Sequence, residues 1–216
     1  MTAYPMTWRS IVLAFALALA TSSWCAAQTR VDLGPVVGLY APTSSVFAYQ
    51  PSPIGPLGAE ATFGTGVAIG GEAVVWFSRH LGAGLLGATG ATSLKFAGFA
   101  PTGHVVIGAG AAFWRVPFAN EQSDLRIGAG VAYLKHTGSA FKPFGSPSNL
   151  AGFASFGTYR SITRSIGVEL SLNACLYNLL LTEPGTGSPP PPSRFQVDLL
   201  GRVGLIYQLR VGHHHG

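Results

Sequence analysis

The chain has 216 residues, of which 48% are hydrophobic and only 10% are charged, with 29 glycines and a formal net charge of +5. So little charge is unusual for a soluble exported domain. The basic residues are scattered singly along the chain, which argues against a nucleic-acid surface.

The N-terminus carries the three parts of a secretory signal peptide. Arg9 supplies positive charge, Ile11–Ala20 is an apolar core of about ten residues, and residues 25–27 form a small-residue cleavage site. A core of about ten residues is too short to cross a bilayer as a helix. We therefore expect residues 1–27 to be cleaved. Cys175 is then the only remaining thiol, which excludes an intrachain disulfide.

The mature chain, residues 28–211, is predicted to be one all-β domain. No segment in it offers about 18 uninterrupted apolar residues, as a spanning helix requires. Its abundant glycine, alanine, threonine and valine favour strands. Eight stretches are predicted to be strands, several with apolar and polar residues in alternation. In chain order they are Arg30–Tyr40, Thr65–Ser78, Ala83–Phe96, His104–Phe118, Asp124–His136, Asn149–Arg160, Ser165–Leu181 and Phe195–Val211.

The connections between these strands alternate between long and short. The long ones are predicted to be loops, at residues 41–64, 97–103, 137–148 and 182–194; the short turns cover 79–82, 119–123 and 161–164. An even strand number, with short turns at one end and long loops at the other, is typical of bacterial outer-membrane barrels. Both termini then lie at the short-turn end, on the periplasmic side.

The last predicted strand, Phe195–Val211, shows the alternation most clearly. Its odd-numbered positions are apolar apart from one glycine, while Asp198 and Arg202 lie on the other face. A run of about 17 residues far exceeds the usual strand of globular proteins. A soluble lipocalin-like barrel is the alternative, with an apolar interior and a polar exterior. The shortage of surface charge favours an eight-stranded antiparallel up-and-down barrel that spans the bacterial outer membrane.

Several charged residues are predicted to face the barrel interior. An eight-stranded barrel is barely wide enough for its own side chains, and buried charges must be paired. We therefore expect an interior ion-pair network rather than a catalytic pair of carboxylates. Its predicted members are Asp32, Glu72, Arg126, Glu169, Asp198 and Arg202.

Other candidate motifs point to no chemistry. Gly82-x-Gly84-x-x-Gly87 matches a dinucleotide-binding pattern, but the βαβ context that the pattern requires is missing. The tail at residues 212–216 holds three consecutive histidines, which make a poor fixed metal site. His104 and His136 could begin a hydrolytic site on the outer face, but no spacing supports one. We predict no catalytic residue, metal or cofactor.

The last strand also resembles the assembly signal of outer-membrane barrels. That signal combines a polar residue, a glycine and two hydrophobic residues, and the matching positions are Arg202, Gly204, Tyr207 and Leu209. The mature chain is similar to the small OmpA/OmpX-type barrels, and residues 36–43 (VVGLYAPT) resemble their first strand. The resemblance implies that outer-membrane lipid, lipopolysaccharide and the barrel-assembly machinery are partners.

Aromatic residues lie toward the predicted strand ends, where they would form interfacial girdles. These are Tyr40, Trp76, Phe77, Phe96, Phe113, Trp114, Phe118, Tyr133, Tyr159, Tyr177 and Tyr207. A second group is predicted to be exposed on the loops, at Phe47, Tyr49, Phe63, Phe99, Phe141 and Phe144. Exposed apolar patches often mark contact surfaces, which favours self-association or a protein partner bound through the loops.

Three functions are compatible with this sequence. The first is a structural or interaction barrel with a plugged lumen and surface loops for contacts. The second is a narrow porin-like channel for ions or small solutes. A lipid-modifying enzyme is the least favoured, because no residue pattern supports a catalytic site.

Overall fold

The computed structural model describes residues 29–43, 45–50, 57–95, 100–118, 122–142, 147–179 and 194–211. The predicted signal peptide and histidine tail lie outside these residues. No helix in this part of the chain is long and apolar enough to cross a membrane. The described residues contain ten strands, which are β1 (Thr29–Pro42), β2 (Ser45–Gln50), β3 (Leu57–Phe63), β4 (Gly66–Trp76), β5 (Leu81–Lys95), β6 (Thr102–Pro117), β7 (Ser123–Thr137), β8 (Ser148–Ser161), β9 (Ile166–Leu179) and β10 (Arg194–Val211).

Eight of these strands close into an antiparallel barrel. The wall runs in the order β1, β4, β5, β6, β7, β8, β9 and β10, and each strand pairs with the next. The barrel closes where β10 pairs with β1, from Thr29 opposite Val211 to Pro42 opposite Asp198. Closure leaves no free edge in the wall. The predicted eight-stranded antiparallel barrel is confirmed.

The two shortest strands form a hairpin that extends the wall at the long-loop end. β2 pairs with β3, and the end of β3 pairs with β5, with Thr62 opposite Lys95. The prediction that residues 41–64 are all loop is therefore wrong. Each of these two stretches carries strand-forming Val, Phe, Tyr or Thr residues, and three of the four prolines in 41–64 come between the two stretches in the sequence.

Side chains along the long strands alternate between the outside and the lumen. On β10, Leu205 on the outer face is 54% exposed, whereas Arg202 on the inner face is 3% exposed. The same alternation places Ile127 outside and Arg126 inside on β7. The glycine-rich strand β5, whose two faces look alike in sequence, turns Leu86, Ala88 and Thr92 inward.

The lumen is divided into two tiers. The half near the long loops holds an apolar cluster that includes Tyr40, Val105, Leu134 and Phe153. The half near the short turns holds most of the buried charge. This apolar tier was not predicted, because the alternation along the strands was used to place only charged residues in the lumen.

Many of the predicted interfacial aromatic residues lie in the lumen instead. Trp114, Phe118, Tyr133 and Tyr207 are exposed on the outside, as predicted. For a larger group the girdle prediction is wrong, because their positions share the inward-facing parity of each strand. These inward residues are Tyr40, Trp76, Phe113, Tyr159 and Tyr177. Phe77 is half-buried in the β4–β5 turn, and Phe96 lies outside the described residues.

Candidate functional site

A buried ion-pair network crosses the lumen, and Glu169 on β9 lies at its centre. Arg126 Nη1 donates to Glu169 Oε2 at 2.8 Å, and Arg202 Nη2 donates to Glu169 Oε1 at 3.0 Å. Arg202 also contacts the carboxylate of Glu72 on β4. One carboxylate thus connects two guanidinium groups that come from β7 and β10. Charge-assisted bonds of this kind are among the stronger polar contacts in proteins.

Arg126 extends the network toward the short-turn end. Its Nη2 lies 2.8 Å from Asp32 Oδ2, and its Nε lies 2.8 Å from Asp124 Oδ1. Asp32 also accepts two bonds from Arg30, at 2.6 and 2.9 Å. Arg115 Nη1 lies 3.9 Å from Asp124 Oδ2. The connected set therefore contains four arginines and four carboxylates, so that its formal charges cancel.

Two aromatic rings support the guanidinium groups of this network. Trp76 Nε1 donates to Asp32 Oδ2 at 2.9 Å, and the guanidinium carbons of Arg115 and Arg126 lie 4.8 and 5.2 Å from the Trp76 ring. The Arg126 guanidinium also lies 4.3 Å from the ring of Tyr159. Cation–π contacts of this kind gain strength where water is excluded.

The glycines of the apparent dinucleotide motif have a packing role. A Cβ at Gly82 would lie 2.9 Å from the Trp76 ring, and one at Gly84 would lie 3.1 Å from Phe113. The missing side chains therefore make room for two aromatic rings inside a narrow barrel. Gly87 faces outward, and a Cβ there would meet nothing within 4 Å.

Asp198 lies apart from the other predicted network residues. Its carboxylate accepts hydrogen bonds from Tyr177 Oη at 2.7 Å and from Tyr40 Oη, and Gln196 Nε2 lies 3.4 Å away. Asp198 and Arg202 are four positions apart, which is about 13 Å along a strand. The structure thus brings Asp32, Glu72, Arg126, Glu169 and Arg202 together. Asp198 instead joins a tyrosine cluster in the apolar tier.

The β7–β8 connection inserts an aromatic ring into the long-loop mouth of the barrel. Phe141 is 0% exposed, and its ring lies 4.9 Å from His136 and 5.7 Å from Phe63. Gly138 has a φ of 95° at the start of this turn, and a Cβ at Gly103 would lie 2.6 Å from the Phe141 ring. We call the segment 138–142 the cap.

The prediction of an exposed loop aromatic is wrong for Phe141, and Phe63 is also packed inward. Phe141 follows the end of β7, so the alternation of side chains along the strand does not determine the direction of its ring. The side chains of Phe47 and Tyr49, together with Phe99 and Phe144, lie outside the described residues.

The two histidines considered for a hydrolytic site do not share a surface. His104 is exposed on the outer wall, whereas His136 is buried in the lumen, although the register places Val105 directly opposite His136. The barrel wall separates the two imidazoles. No group of three His, Cys, Asp or Glu residues that could hold a metal occurs within the described ranges.

The residues of the predicted assembly signal occupy both faces of β10. Arg202 and Gly204 face the lumen, whereas Tyr207 and Leu209 are exposed on the outer wall. The polar and small positions of the motif therefore point inward, and its two hydrophobic positions point outward. Its role in assembly stays a prediction.

Sequence reasoning did not find every member of the network. Arg30 and Asp124 precede Asp32 and Arg126 by two positions, so the same alternation could have placed them in the lumen. Arg115 shares the inward parity of Phe113, but Phe113 was predicted to lie in the interfacial girdle, so the alternation gave no inward position for Arg115. The aromatic support from Trp76 and Tyr159 had no comparable signal, because aromatic residues near strand ends usually lie at the membrane interface.

Comparison with known proteins supports the fold. No family model matches the sequence, and no curated protein matches it. The outer membrane protein OprG from Pseudomonas aeruginosa has a similar structure, with a TM-score of 0.63 and 13% sequence identity over 86% of this chain and 97% of that one. Neisserial surface protein A is similar with a TM-score of 0.50 and 8% identity, over 83% of this chain and 96% of that one. The predicted similarity to small outer-membrane barrels is confirmed at the level of the fold.

Proposed function

We propose that this chain is a structural and contact-forming barrel of the bacterial outer membrane with a lumen closed by its own side chains. The observation that carries the proposal is the charge-balanced network of four arginines and four carboxylates across the lumen. A lumen built to conduct would keep a hydrated path, whereas here each described charge of this network is matched by a partner.

Two successive barriers stand along the axis of the barrel. A passing ion would first have to separate buried ion pairs such as Arg126–Glu169, which costs several kcal/mol. It would then meet the apolar tier, which Phe141 covers at the long-loop mouth. An ion in an apolar medium carries a large desolvation cost. We infer that the resting barrel does not conduct.

The placement in the outer membrane rests on three features. Residues 1–27 have the pattern of an export signal, and β10 carries the assembly pattern at Arg202, Gly204, Tyr207 and Leu209. The outer wall exposes large apolar side chains such as Val37, Leu150 and Leu170. In such a wall the short turns face the periplasm and the long loops face outward.

The long connections are the parts that we propose make contacts. They lie on the outward side and include the β2–β3 hairpin, which extends beyond the barrel wall. We propose that they mediate self-association or binding of a protein partner, and that lipid and lipopolysaccharide surround the wall. The barrel-assembly machinery would insert the chain through the signal on β10.

Single-channel recording in planar bilayers tests the closed lumen. The purified, refolded barrel is expected to give no stable conductance steps, and a double variant Glu169→Gln/Phe141→Ala is expected to give fluctuating ones because both barriers are weakened. Stable steps from the wild-type protein would support a narrow channel instead. Membrane fractionation tests the location separately. The mass of lipid A from cells that express the protein tests the non-enzymatic role, and we expect it to be unchanged.

A further inference from the structure

Among the described residues, the outer wall of the barrel carries charge of only one sign. All five carboxylates whose side chains are described lie buried in the lumen; these are Asp32, Glu72, Asp124, Glu169 and Asp198. The outer wall is left with basic residues at its two ends. At the long-loop end, Lys95, His104 and Lys135 are exposed on the neighbouring strands β5, β6 and β7.

The register places these three basic residues on one face of the wall. His104 is opposite Thr137, and Lys135 follows on the same side two positions away. Lys95 lies two residues beyond Ser93, which is opposite Thr102. On β8, β9 and β10, the exposed outward residues described at the same end are uncharged, and Leu150, Asn178 and Phe195 are examples. Among the side chains described on these strands, the exposed basic residues of the long-loop end therefore lie on one side of the barrel.

A row of outward-facing glycines, which we call the glycine track, lies on the same strands, nearer the middle of the wall. Gly87 is opposite Gly108, and a Cβ on either would meet nothing within 4 Å. Gly110 continues the track, and a Cβ there would lie 3.5 Å from Leu85 Cδ2. Tyr133 is 48% exposed and lies on β7 two residues before Lys135.

We propose that the β5–β7 face binds a phosphorylated glycolipid of the outer leaflet, of the lipid A class. The phosphate groups would contact Lys95, His104 and Lys135, and an acyl chain would lie along the glycine track. Lysine binds phosphate as a point charge, and an exposed tyrosine suits the boundary between headgroups and acyl chains. This inference rests on the proposed outer-membrane placement, in which the long-loop end meets the outer leaflet.

The position of the cluster favours a lipid over a soluble partner. Lys135 and His104 project from the barrel wall itself, where they flank apolar surface such as Val106, which is 47% exposed. A charged residue at this boundary places its ammonium group at the level of headgroup phosphates. Among the described residues of the outer wall there is no carboxylate to neutralise the cluster.

The test uses the full mature barrel refolded into phosphatidylcholine nanodiscs that contain bis-phosphorylated lipid A or its dephosphorylated form. Native mass spectrometry after detergent release counts the lipid that stays bound. The wild type is expected to retain only the phosphorylated lipid. Lys95→Gln/Lys135→Gln is expected to lose retention roughly tenfold or more, since each basic residue near a phosphate surface contributes about 1 kcal/mol.

Matched variants separate this site from general charge and general packing. Arg160→Gln/Arg164→Gln removes two exposed charges at the short-turn end and is expected to bind like the wild type. Gly108→Leu fills the track and is expected to reduce retention. Gly201→Leu on the opposite wall, where a Cβ also meets nothing within 4 Å, is expected to leave it unchanged.

Equal retention by Lys95→Gln/Lys135→Gln and the wild type would overturn the proposal, as would equal retention of the dephosphorylated lipid. An equal loss in Arg160→Gln/Arg164→Gln would show that net charge alone controls binding and would overturn it too. A heat-dependent gel shift verifies that each variant is folded in the disc. Conductance and fractionation do not depend on this site, so that failure of the proposed function is recognised separately.

Discussion

Replacement of Glu169 by glutamine tests whether the lumenal network holds the barrel together. The glutamine side chain would keep the shape of glutamate but lose the charge that both Arg126 and Arg202 contact, at 2.8 and 3.0 Å. Four arginines would then face three carboxylates in a buried site. Removal of one partner from a buried ion pair costs about 3–5 kcal/mol. Arg126 keeps Asp32 and Asp124, and Arg202 keeps Glu72, so we expect a loss of about 3 kcal/mol in the free energy of unfolding.

The measurement is reversible urea unfolding of the mature barrel in phospholipid vesicles, followed by tryptophan fluorescence. Once residues 1–27 are removed, the tryptophans are Trp76 in the network and Trp114 on the outer wall. A Trp114→Phe background therefore makes Trp76 the reporter, and a hydrogen bond from Trp76 to Asp32 couples it to the network. The control is Arg160→Gln, which changes one exposed charge and is expected to shift stability by less than about 0.5 kcal/mol. If Glu169→Gln costs no more than this control, the network does not stabilise the barrel.

Three further predictions address the rest of the lumen. Asp198→Asn is expected to change the free energy of unfolding by less than about 1 kcal/mol, because Asp198 accepts hydrogen bonds from two tyrosines and has no described cationic partner. A loss as large as that of Glu169→Gln would instead show that Asp198 belongs to the ion-pair network. Phe141→Ala is expected to lower the free energy of unfolding by about 3 kcal/mol, because it leaves a cavity at the long-loop mouth of the barrel. It is also expected to speed hydrogen exchange in the neighbouring part of β7, and unchanged exchange would mean that the cap does not seal the lumen. Gly82→Val is expected to destabilise the barrel by displacing Trp76, whereas Gly108→Val projects into open space and is expected to be tolerated; equal effects in urea unfolding would contradict this packing role.

Much of the barrel wall could be predicted from alternation along the strands. On β10 the rule assigned Asp198 and Arg202 to the same face, and both are buried. Alternation carries no information about height, however, and the two residues lie in different tiers of the lumen with different partners. The pairing of Arg202 with Glu72 depends on the registers of β10 and β4 with β1, the strand between them, and no local pattern contains that information.

The cap and the β2–β3 hairpin could not be predicted from the alternation of side chains along the strands. Phe141 follows a strand end and enters the lumen through a turn at Gly138, so that its direction depends on backbone angles rather than on a period of two. Strands β2 and β3 lie in a stretch rich in proline and glycine, which resembles a loop in composition. Only their pairing with each other and with β5 shows that they are strands that extend the wall.

The positions of the buried charges on β1 and β10 have a consequence for how the barrel closes. Asp32 on β1 and Arg202 on β10 lie on the two strands whose pairing closes the ring, and each has a partner on a third strand, Arg126 on β7 for Asp32 and Glu72 on β4 for Arg202. A shift of one residue in this pairing would reverse the faces of β1 or of β10, so that Asp32 or Arg202 would face lipid and its partners in the lumen would be left uncompensated. A barrel with a misaligned pairing of β1 and β10 would be less stable than the native one. The interior charges would therefore favour the native register at the point where the barrel closes.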